Sequence, residues 1–277
     1  MESREVRYIR KAINVMQGAG RAFSDRQSLC SLESSSSRSF LEHFVLVIDT
    51  DSDNCMRIFS VARSLSPIAR RLSHTSTMDG TAMHTVTGLK RWSCQDPTVL
   101  PDMDKIKAIH VYDFDNTLFC SPLPNKQVWA GPSIGTLQAL EQISTGGWWH
   151  DASILASTGK GLEEEEKTAW SGWWNEGIVD LVRLSMQQKD ALTVLLTGRN
   201  ERGFADLVTR MFRAKQLEFD MVCLKPAVGP AGQRFSSTML FKQDLLRDLV
   251  CTYSDAEEIR IYEDRPKQCA LLPFLLP

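Results

Sequence analysis

The sequence lacks the features of a membrane-spanning, secreted or zinc-binding protein. None of its apolar runs approaches the ~20 residues needed to cross a bilayer, and Glu2, Arg4 and Glu5 interrupt any apolar signal segment at the start. The seven cysteines include no Cys-x-x-Cys pair, and the five histidines show no metal-ligand spacing. We therefore expect reduced thiols, no membrane partner and an intracellular location, in the cytoplasm or nucleus; a mitochondrial location would require translation to start near Met56.

The sequence also lacks an excess of basic charge. The formal net charge is −2, and residues 78–277 hold more acidic than basic side chains. A long groove for nucleic acid normally has a basic surface, so we expect no such groove here, although a short strand end could be bound locally. With 43% hydrophobic and 24% charged residues, the composition is that of a soluble globular protein.

The helix and strand signals are confined to the later part of the chain. Residues 1–100 contain serine-rich and polar stretches that cannot bury enough apolar surface to offset the entropy of ordering. We expect this N-terminal region to be largely disordered or a linker, and residues 1–77 not to pack on the folded part. Residues 101–277 form the expected domain.

That domain alternates apolar strands with amphipathic helices. Apolar runs predict strands at 108–112, 191–196, 219–224 and 259–262, and helical spacing predicts helices at 133–143, 177–188, 201–216 and 238–250. The alternation is typical of an α/β fold with a Rossmann-like parallel sheet covered on both faces. Ligands bind such sheets at the carboxyl ends of the strands.

Polar side chains follow each predicted strand. Asp113 and Asp115 come after the first, Thr197 ends the second, Lys225 follows the third and Asp264 follows the fourth. Three converging acids repel one another unless a cation lies between them, and a site of oxygen ligands suits Mg²⁺. One carboxylate can attack phosphorus while another exchanges protons, and a hydroxyl and a lysine can bind the phosphoryl oxygens. The pattern therefore predicts phosphoryl-transfer chemistry.

The motifs around these residues resemble those of the haloacid dehalogenase (HAD) superfamily of phosphohydrolases. Asp113-Phe114-Asp115-Asn116-Thr117-Leu118 resembles the first motif, Leu196-Thr197-Gly198-Arg199 the second and Glu263-Asp264 the fourth, while Lys242 fits the third. Residues 90–268 are more closely similar to the HAD domain of Swiss Army Knife RNA repair proteins. The similar segments include Gly147-Trp148-Trp149-His150 and Gly172-Trp173-Trp174-Asn175.

The resemblance implies a role for each matching residue. Asp113 matches the nucleophile, Asp115 the general acid/base and Thr197 the hydroxyl that binds phosphate. Lys242 matches the lysine that steadies the aspartate and phosphoryl charge, although Lys225 also follows a strand and is a rival for this role. The implied Mg²⁺ ligands are Asp113, Asp115 through its backbone carbonyl, and Asp264 with Glu263 as its partner.

The insert between the first two motifs, about residues 120–176, holds six of the seven tryptophans and is expected to form a cap. Two interpretations of these tryptophans stay open. They could stack on bases, at roughly 1–3 kcal/mol for each base, or form the apolar core of a small cap. Arg199 also has two interpretations, since it could contact a substrate phosphate or pair with a neighbouring acid.

The residues predict an enzyme, a Mg²⁺-dependent phosphatase that acts through an aspartyl-phosphate, and the resemblance implies removal of a terminal phosphate in RNA repair. The expected partner is a phosphate monoester such as an RNA end. Two alternatives stay open: a phosphatase for a small phosphometabolite or phosphoprotein, and a catalytically idle binding module. The sequence does not indicate an oligomeric state.

The domain looks short at its C-terminus. Only 13 residues follow Asp264, and Pro273 disfavours a long helix there. We expect the strand at 259–262 to lack a neighbour on one side, because no further element is predicted to cover it. This would give a marginally stable, aggregation-prone protein with a weakened metal site.

Overall fold

A six-stranded sheet forms the centre of the computed structural model, which describes residues 43–48, 58–64, 84–95, 99–139, 144 and 146–265. The strands are His43–Ile48 (β1), Ile58–Ser64 (β2), Ala108–Tyr112 (β3), Ala191–Asn200 (β4), Met221–Lys225 (β5) and Glu258–Glu263 (β6). Their order in the sheet is β1-β2-β6-β3-β4-β5. Strands β3 to β6 run parallel to one another, whereas β1 and β2 join antiparallel at the β6 edge.

Helices cover both faces of this sheet, which confirms the predicted α/β class. They are Val86–Lys90 (α1), Gly131–Gln138 (α2), Ala152–Ala156 (α3), Leu162–Lys167 (α4), Glu176–Met186 (α5), Glu201–Lys215 (α6) and Thr238–Thr252 (α7). Helices α5 and α6 pack on one face, and α1 and α7 pack on the other. Successive side chains of a strand point to opposite faces, so Ile109 and Val111 of β3 join one core while Tyr112 joins the other.

The end of β4 carries the second motif and differs from its predicted geometry. The strand continues to Asn200, with an irregularity in its pairing to β5 between Thr197 and Asn200. A Cβ atom on Gly198 would lie 2.4 Å from Cγ2 of Thr238 at the start of α7. Glycine is therefore required for the close approach of α7 to this strand end, which brings the helix that carries Lys242 to the edge of the sheet.

The expectation that the last strand lacks a neighbour is wrong. Strand β6 pairs with β3 on one side and with β2 on the other, and β2 runs antiparallel over the whole length of β6. The expectation that residues 1–77 do not pack on the sheet is therefore wrong for β1 and β2. No local pattern indicated this pairing, because it joins segments about 200 residues apart in the chain. Residues 266–277, including Pro273, lie outside the described residues.

Segments on either side of the first motif also differ in detail from the prediction. The predicted helix at 133–143 ends at Gln138 and buries none of its residues, and residues 140–143 lie outside the described part of the chain. Before β3, Leu89 and Trp92 pack in the core beside α7. This packing is fixed by Asp248 of α7, whose Oδ2 accepts a hydrogen bond from Nε1 of Trp92 at 2.6 Å.

Candidate active site

A tight turn after β3 places the two acids of the first motif at the edge of the sheet. Asn116 has a φ of 59°, in the left-handed region that asparagine tolerates better than most residues. The backbone N–H of Asp113 donates to the Tyr262 carbonyl at 3.0 Å, and Oγ1 of Thr117 accepts from the backbone N–H of Asp264 at 3.0 Å. These bonds tie the turn to the end of β6, so that the first and fourth motifs lie together.

Lys242 joins the acids of these two motifs. Its Nζ lies 2.6 Å from Oδ1 of Asp113 and 2.7 Å from Oε2 of Glu263, and its side chain is only 1% exposed. A buried ammonium is stable only when paired, and here two carboxylates pair with it. The lysine that contacts the first acid is therefore Lys242 and not Lys225, which lies at the end of β5.

The acids around Lys242 carry more negative charge than this one ammonium neutralises. Burial and the neighbouring charge of Glu263 raise the pKa of Asp113 to about 7, although Lys242 acts in the opposite direction. Burial, a hydrogen bond with Glu263 and the charge of Asp113 raise the pKa of Asp264 to about 7. Burial alone would raise the pKa of Glu263, but Lys242 and Arg265 bring it below its usual value. The cluster would thus be stabilised by a further positive charge.

The geometry of these acids fits a small divalent cation. Asp113, Glu263 and Asp264 each offer one carboxylate oxygen, and these three atoms lie within 4.8 Å of one another. Two buried oxygens, Oδ2 of Asp113 and Oδ1 of Asp264, have no hydrogen-bond partner among the described residues. Buried polar atoms without partners are costly, and oxygen atoms of this kind are the ligands that Mg²⁺ prefers.

Asp115 has a different environment, although it lies two residues from Asp113. Nε and Nη2 of Arg199 donate to its Oδ2 and Oδ1 at 3.0 and 2.7 Å. Oγ of Ser121 donates to Oδ1 at 2.6 Å, and Oγ1 of Thr197 lies 3.4 Å from Oδ2. The carboxylate of Asp115 is therefore held by an arginine and a hydroxyl, outside the group of acids around Lys242.

Arg265 contacts the acids around Lys242 from the solvent side. Its Nε donates to Oε1 of Glu263 at 2.9 Å and lies 3.8 Å from Oδ1 of Asp264. Its side chain is 46% exposed, unlike that of Lys242. Arg265 thus adds positive charge on the exposed side of the cluster.

A cavity of about 240 Å³ lies between Asp115 and Asp264. Asp115, Arg199 and Thr238 line it on the side of the second motif, and Asp264 and Arg265 line it on the side of the fourth. Two residues of the insert, Trp149 and His150, complete the wall. The insert therefore contributes to the wall of this cavity.

The tryptophans of the insert divide between the two interpretations. Trp170 and Trp174 are buried in the core beside Phe212 of α6, which favours the role of an apolar core. Trp129 is 46% exposed, and Trp149 lines the cavity. Packing thus explains the two buried tryptophans, and Trp149 is the tryptophan that lines the cavity.

The structure brings together Asp113, Lys242, Glu263 and Asp264, and places Thr197 beside Asp115, as the motif order predicts. Sequence reasoning left the partner of Arg199 open and missed Ser121 and Arg265. Both missed residues lie close in sequence to a motif, at six residues after Asp115 and one after Asp264. Proximity to a motif was the available signal, but it did not indicate which acid each residue contacts.

A parallel α/β sheet with two acids, a hydroxyl, a lysine and further acids at its carboxyl edge defines a HAD-type domain. Residues 121–274, more than half of the chain, match the model of HAD domain family 1 in Swiss Army Knife RNA repair proteins, and the chain belongs to this family. Membership suggests a phosphohydrolase. The match begins after Asp113 and Asp115, so the roles of these two residues rest on the geometry of the site.

An uncharacterised protein of Saccharomyces cerevisiae is 30% identical to the chain over 193 residues. The aligned region covers 65% of this chain and 40% of the yeast protein, so the chain spans less than half of that relative. No solved structure gives a significant match. Among the described helices, none combines the length and the apolar character that a membrane crossing requires.

Proposed function

We propose that this chain is a Mg²⁺-dependent phosphomonoesterase that removes a terminal phosphate from an RNA end. The observation that carries the proposal is the contact of Lys242 with Asp113 and Glu263, beside buried acid oxygens that have no hydrogen-bond partner among the described residues. A buried carboxylate held by an ammonium at the end of a strand is suited to attack phosphorus. The RNA end as substrate is taken from the family description.

In the first half of the reaction, a carboxylate oxygen of Asp113 attacks the phosphorus atom. The bond between phosphorus and the leaving oxygen breaks, and Asp115 in its protonated form gives its proton to that oxygen. The products are an alcohol and a phosphoryl group on Asp113. The hydroxyl of Thr197 and the ammonium of Lys242 stabilise the negative charge on the phosphoryl oxygens during transfer.

In the second half, Asp115 removes a proton from a water molecule. The water oxygen attacks phosphorus and the bond to Asp113 breaks, which releases inorganic phosphate and restores the free carboxylate. The metal would be held by Asp113, Asp264 and the backbone carbonyl of Asp115, with Glu263 close by. A Mg²⁺ ion held there would supply positive charge that stabilises the phosphoryl oxygens.

The cavity offers a short contact to a substrate. Its volume is about 240 Å³, and it is partly open to solvent. This favours a strand end over internal RNA, and the acidic net charge of the chain is consistent with a short contact. A small phosphometabolite would fit the same volume and is therefore the second candidate.

The proposal is tested by phosphate release from purified full-length protein with Mg²⁺. The panel contains 3′-phosphorylated RNA, 5′-phosphorylated RNA, sugar phosphates and p-nitrophenyl phosphate. We expect release from an RNA end that is lost on addition of EDTA and in Asp113→Asn, whose side chain has nearly the same shape. Asp180→Asn on the outside of α5 is the matched control, because Asp180 is remote from the site and half-exposed.

Each result changes a different part of the proposal. Release from sugar phosphates alone would replace the RNA end with a metabolite. Turnover retained in Asp113→Asn would contradict the assignment of the nucleophile. Absence of release from every substrate would favour an idle binding module, and a thermal shift with Mg²⁺ alone would then show whether the metal site is present, since a ligand that binds the folded state raises its melting temperature.

A further inference from the structure

Arg199 connects the general acid/base to the insert. Its guanidinium is 3% exposed and donates to both oxygens of Asp115, while its Nη1 donates to the backbone carbonyl of Trp149 at 3.2 Å. All three guanidinium nitrogens are therefore bonded. A planar guanidinium with two parallel bonds to one carboxylate fixes both the position and the rotation of that carboxylate.

Two aromatic rings hold the guanidinium in turn. Its central carbon lies 5.0 Å from the ring centroid of Trp149 and 4.8 Å from that of Phe204, which is fully buried on α6. Both distances are within the range of cation–π attraction. One ring belongs to the insert and the other to a helix of the sheet domain, so Arg199 lies where these two parts of the protein meet.

The other contacts of Asp115 restrain it less. Ser121 donates to one oxygen, and the hydroxyl of Thr197 lies at the longer distance of 3.4 Å from the other. Loss of Arg199 would leave Oδ2 with only this weak contact. The orientation of Asp115 thus depends mainly on Arg199, and the orientation of Arg199 depends on Trp149.

We infer that Arg199 is a positioning residue that orients the Asp115 carboxylate towards the leaving oxygen. We also infer that Trp149 of the insert, by holding Arg199, helps to set this orientation. The inference rests on the proposed function, because it concerns the proton step of that reaction. The competing role for Arg199, which also lines the cavity, is direct binding of the substrate phosphate. Loss of the positioning role and loss of phosphate binding have different effects on the rates for different substrates.

The leaving group of the substrate distinguishes positioning of Asp115 from binding of the substrate phosphate. When an alkyl phosphate is cleaved, the electron pair of the broken bond stays on an alkoxide oxygen that needs the proton of Asp115. When p-nitrophenyl phosphate is cleaved, a stable phenolate leaves without that proton. A misplaced Asp115 therefore slows transfer from the alkyl phosphate to Asp113 more than transfer from p-nitrophenyl phosphate, whereas a lost phosphate contact weakens binding of both substrates equally. Hydrolysis of the phosphoryl group on Asp113 is common to both substrates, so the comparison uses kcat/KM, which reports the steps up to that transfer.

The experiment compares Arg199→Lys with wild type in the full chain, using p-nitrophenyl phosphate and the alkyl phosphate on which wild type is most active. Lysine keeps the charge but cannot make the paired bonds. We expect kcat/KM for the alkyl phosphate to fall about 10- to 100-fold, with little change in kcat/KM for p-nitrophenyl phosphate. Trp149→Leu should show the same pattern with a smaller loss.

Arg210→Lys is the matched control. Arg210 on α6 also pairs with an acid of the insert, Glu166 on α4, but this pair does not contact Asp115. We expect Arg210→Lys to leave both reactions unchanged. Equal losses of kcat/KM on both substrates in Arg199→Lys would overturn the positioning role.

A crystal structure of Arg199→Lys separates this inference from the proposed function. If wild type releases phosphate from no substrate, the proposed function fails, and the structure alone tests the positioning. We expect the Asp115 carboxylate to rotate away from its wild-type position while Asp113 and Lys242 stay in place. An unmoved Asp115 would show that Arg199 does not position it.

Discussion

Asp113 and Asp115 are the same residue type two positions apart, but they contact different cations. Asp113 shares the ammonium of Lys242 with Glu263, and one of its buried oxygens has no hydrogen-bond partner in the described part of the chain. Asp115 has its two oxygens held by Arg199, with Ser121 adding a further bond. An ammonium is a point charge that can be shared among acids, whereas a guanidinium saturates one carboxylate at fixed geometry.

This difference shows how one motif can supply two chemical roles. An acid with a free oxygen in an excess of negative charge can hold a cation and attack phosphorus. An acid locked by planar donors has a fixed direction, which suits proton transfer to a defined atom. The partners of each acid, and not the spacing of the acids, separate the two roles.

Removal of Lys242 should break this arrangement with the largest effect on stability. In Lys242→Met, Asp113 and Glu263 lose the buried ammonium that both contact, and we expect a loss of about 3–5 kcal/mol in the free energy of unfolding. Phosphatase activity should be lost as well. Urea unfolding and phosphate release measure the two effects.

Lys225→Met is the comparison, because Lys225 was the rival from sequence. We expect its unfolding free energy to stay within about 0.5 kcal/mol of wild type, with activity retained. Loss of activity in Lys225→Met together with an active Lys242→Met would reverse the assignment of the active-site lysine.

Deletion of residues 1–64 should destabilise β6, next to Asp113, more than β4, next to Asp115. Strand β2 would be absent, so β6, which carries Glu263 and leads into Asp264, would become an edge strand. We expect faster amide hydrogen exchange in β6 and unchanged exchange in β4, which carries Thr197 and Arg199. Equal protection of β6 in the deleted and full-length proteins would show that β2 does not brace it.

The smallest expected effect is the contribution of Asp264 to the pH dependence of stability. The pKa of Asp264 is about 7 in the folded protein and about 3.9 in an unfolded chain. Between these values the folded state keeps a proton that the unfolded state has lost, so this group makes stability fall as pH rises from about 4 to about 7, with no further change above. Asp264→Asn cannot titrate and should lose this contribution.

The measurement is urea unfolding in EDTA across that pH range for both proteins. Burial lowers the pKa of His110 to about 3, which gives a contribution of opposite sign. His110 is common to both proteins, so the difference between their curves reports Asp264 together with its coupling to Asp113. A difference that does not change with pH would contradict the raised pKa.

The strands of the parallel sheet could be predicted because each is a short apolar run between polar ends. Residues 108–112 were predicted without error in their bounds, and 259–262 lies within β6. The order of strands and helices then determines that the carboxyl ends meet at one edge, which is why Asp113, Thr197 and Asp264 could be expected together. The pairing of β1 and β2 with the sheet could not be predicted, since it depends on β6, far along the chain.

The site was predictable to the level of its residue types and not to their pairing. Lys242 and Lys225 both suited an acid partner, and the close approach of α7 at Gly198 placed Lys242 beside Asp113. Arg199 could have faced a phosphate or an acid, and the turn at Asn116 placed Asp115 against it.

The sequence by itself determined the α/β class, the motifs at the strand ends and the acidic, oxygen-rich chemistry of the site, because these depend on local apolar patterns and on the order of elements along the chain. The tertiary structure decided which cation contacts which acid, which strand covers β6, and which tryptophan reaches the cavity. Those outcomes depend on distances of a few ångströms between residues remote in sequence, and charge pairing and burial change steeply over such distances.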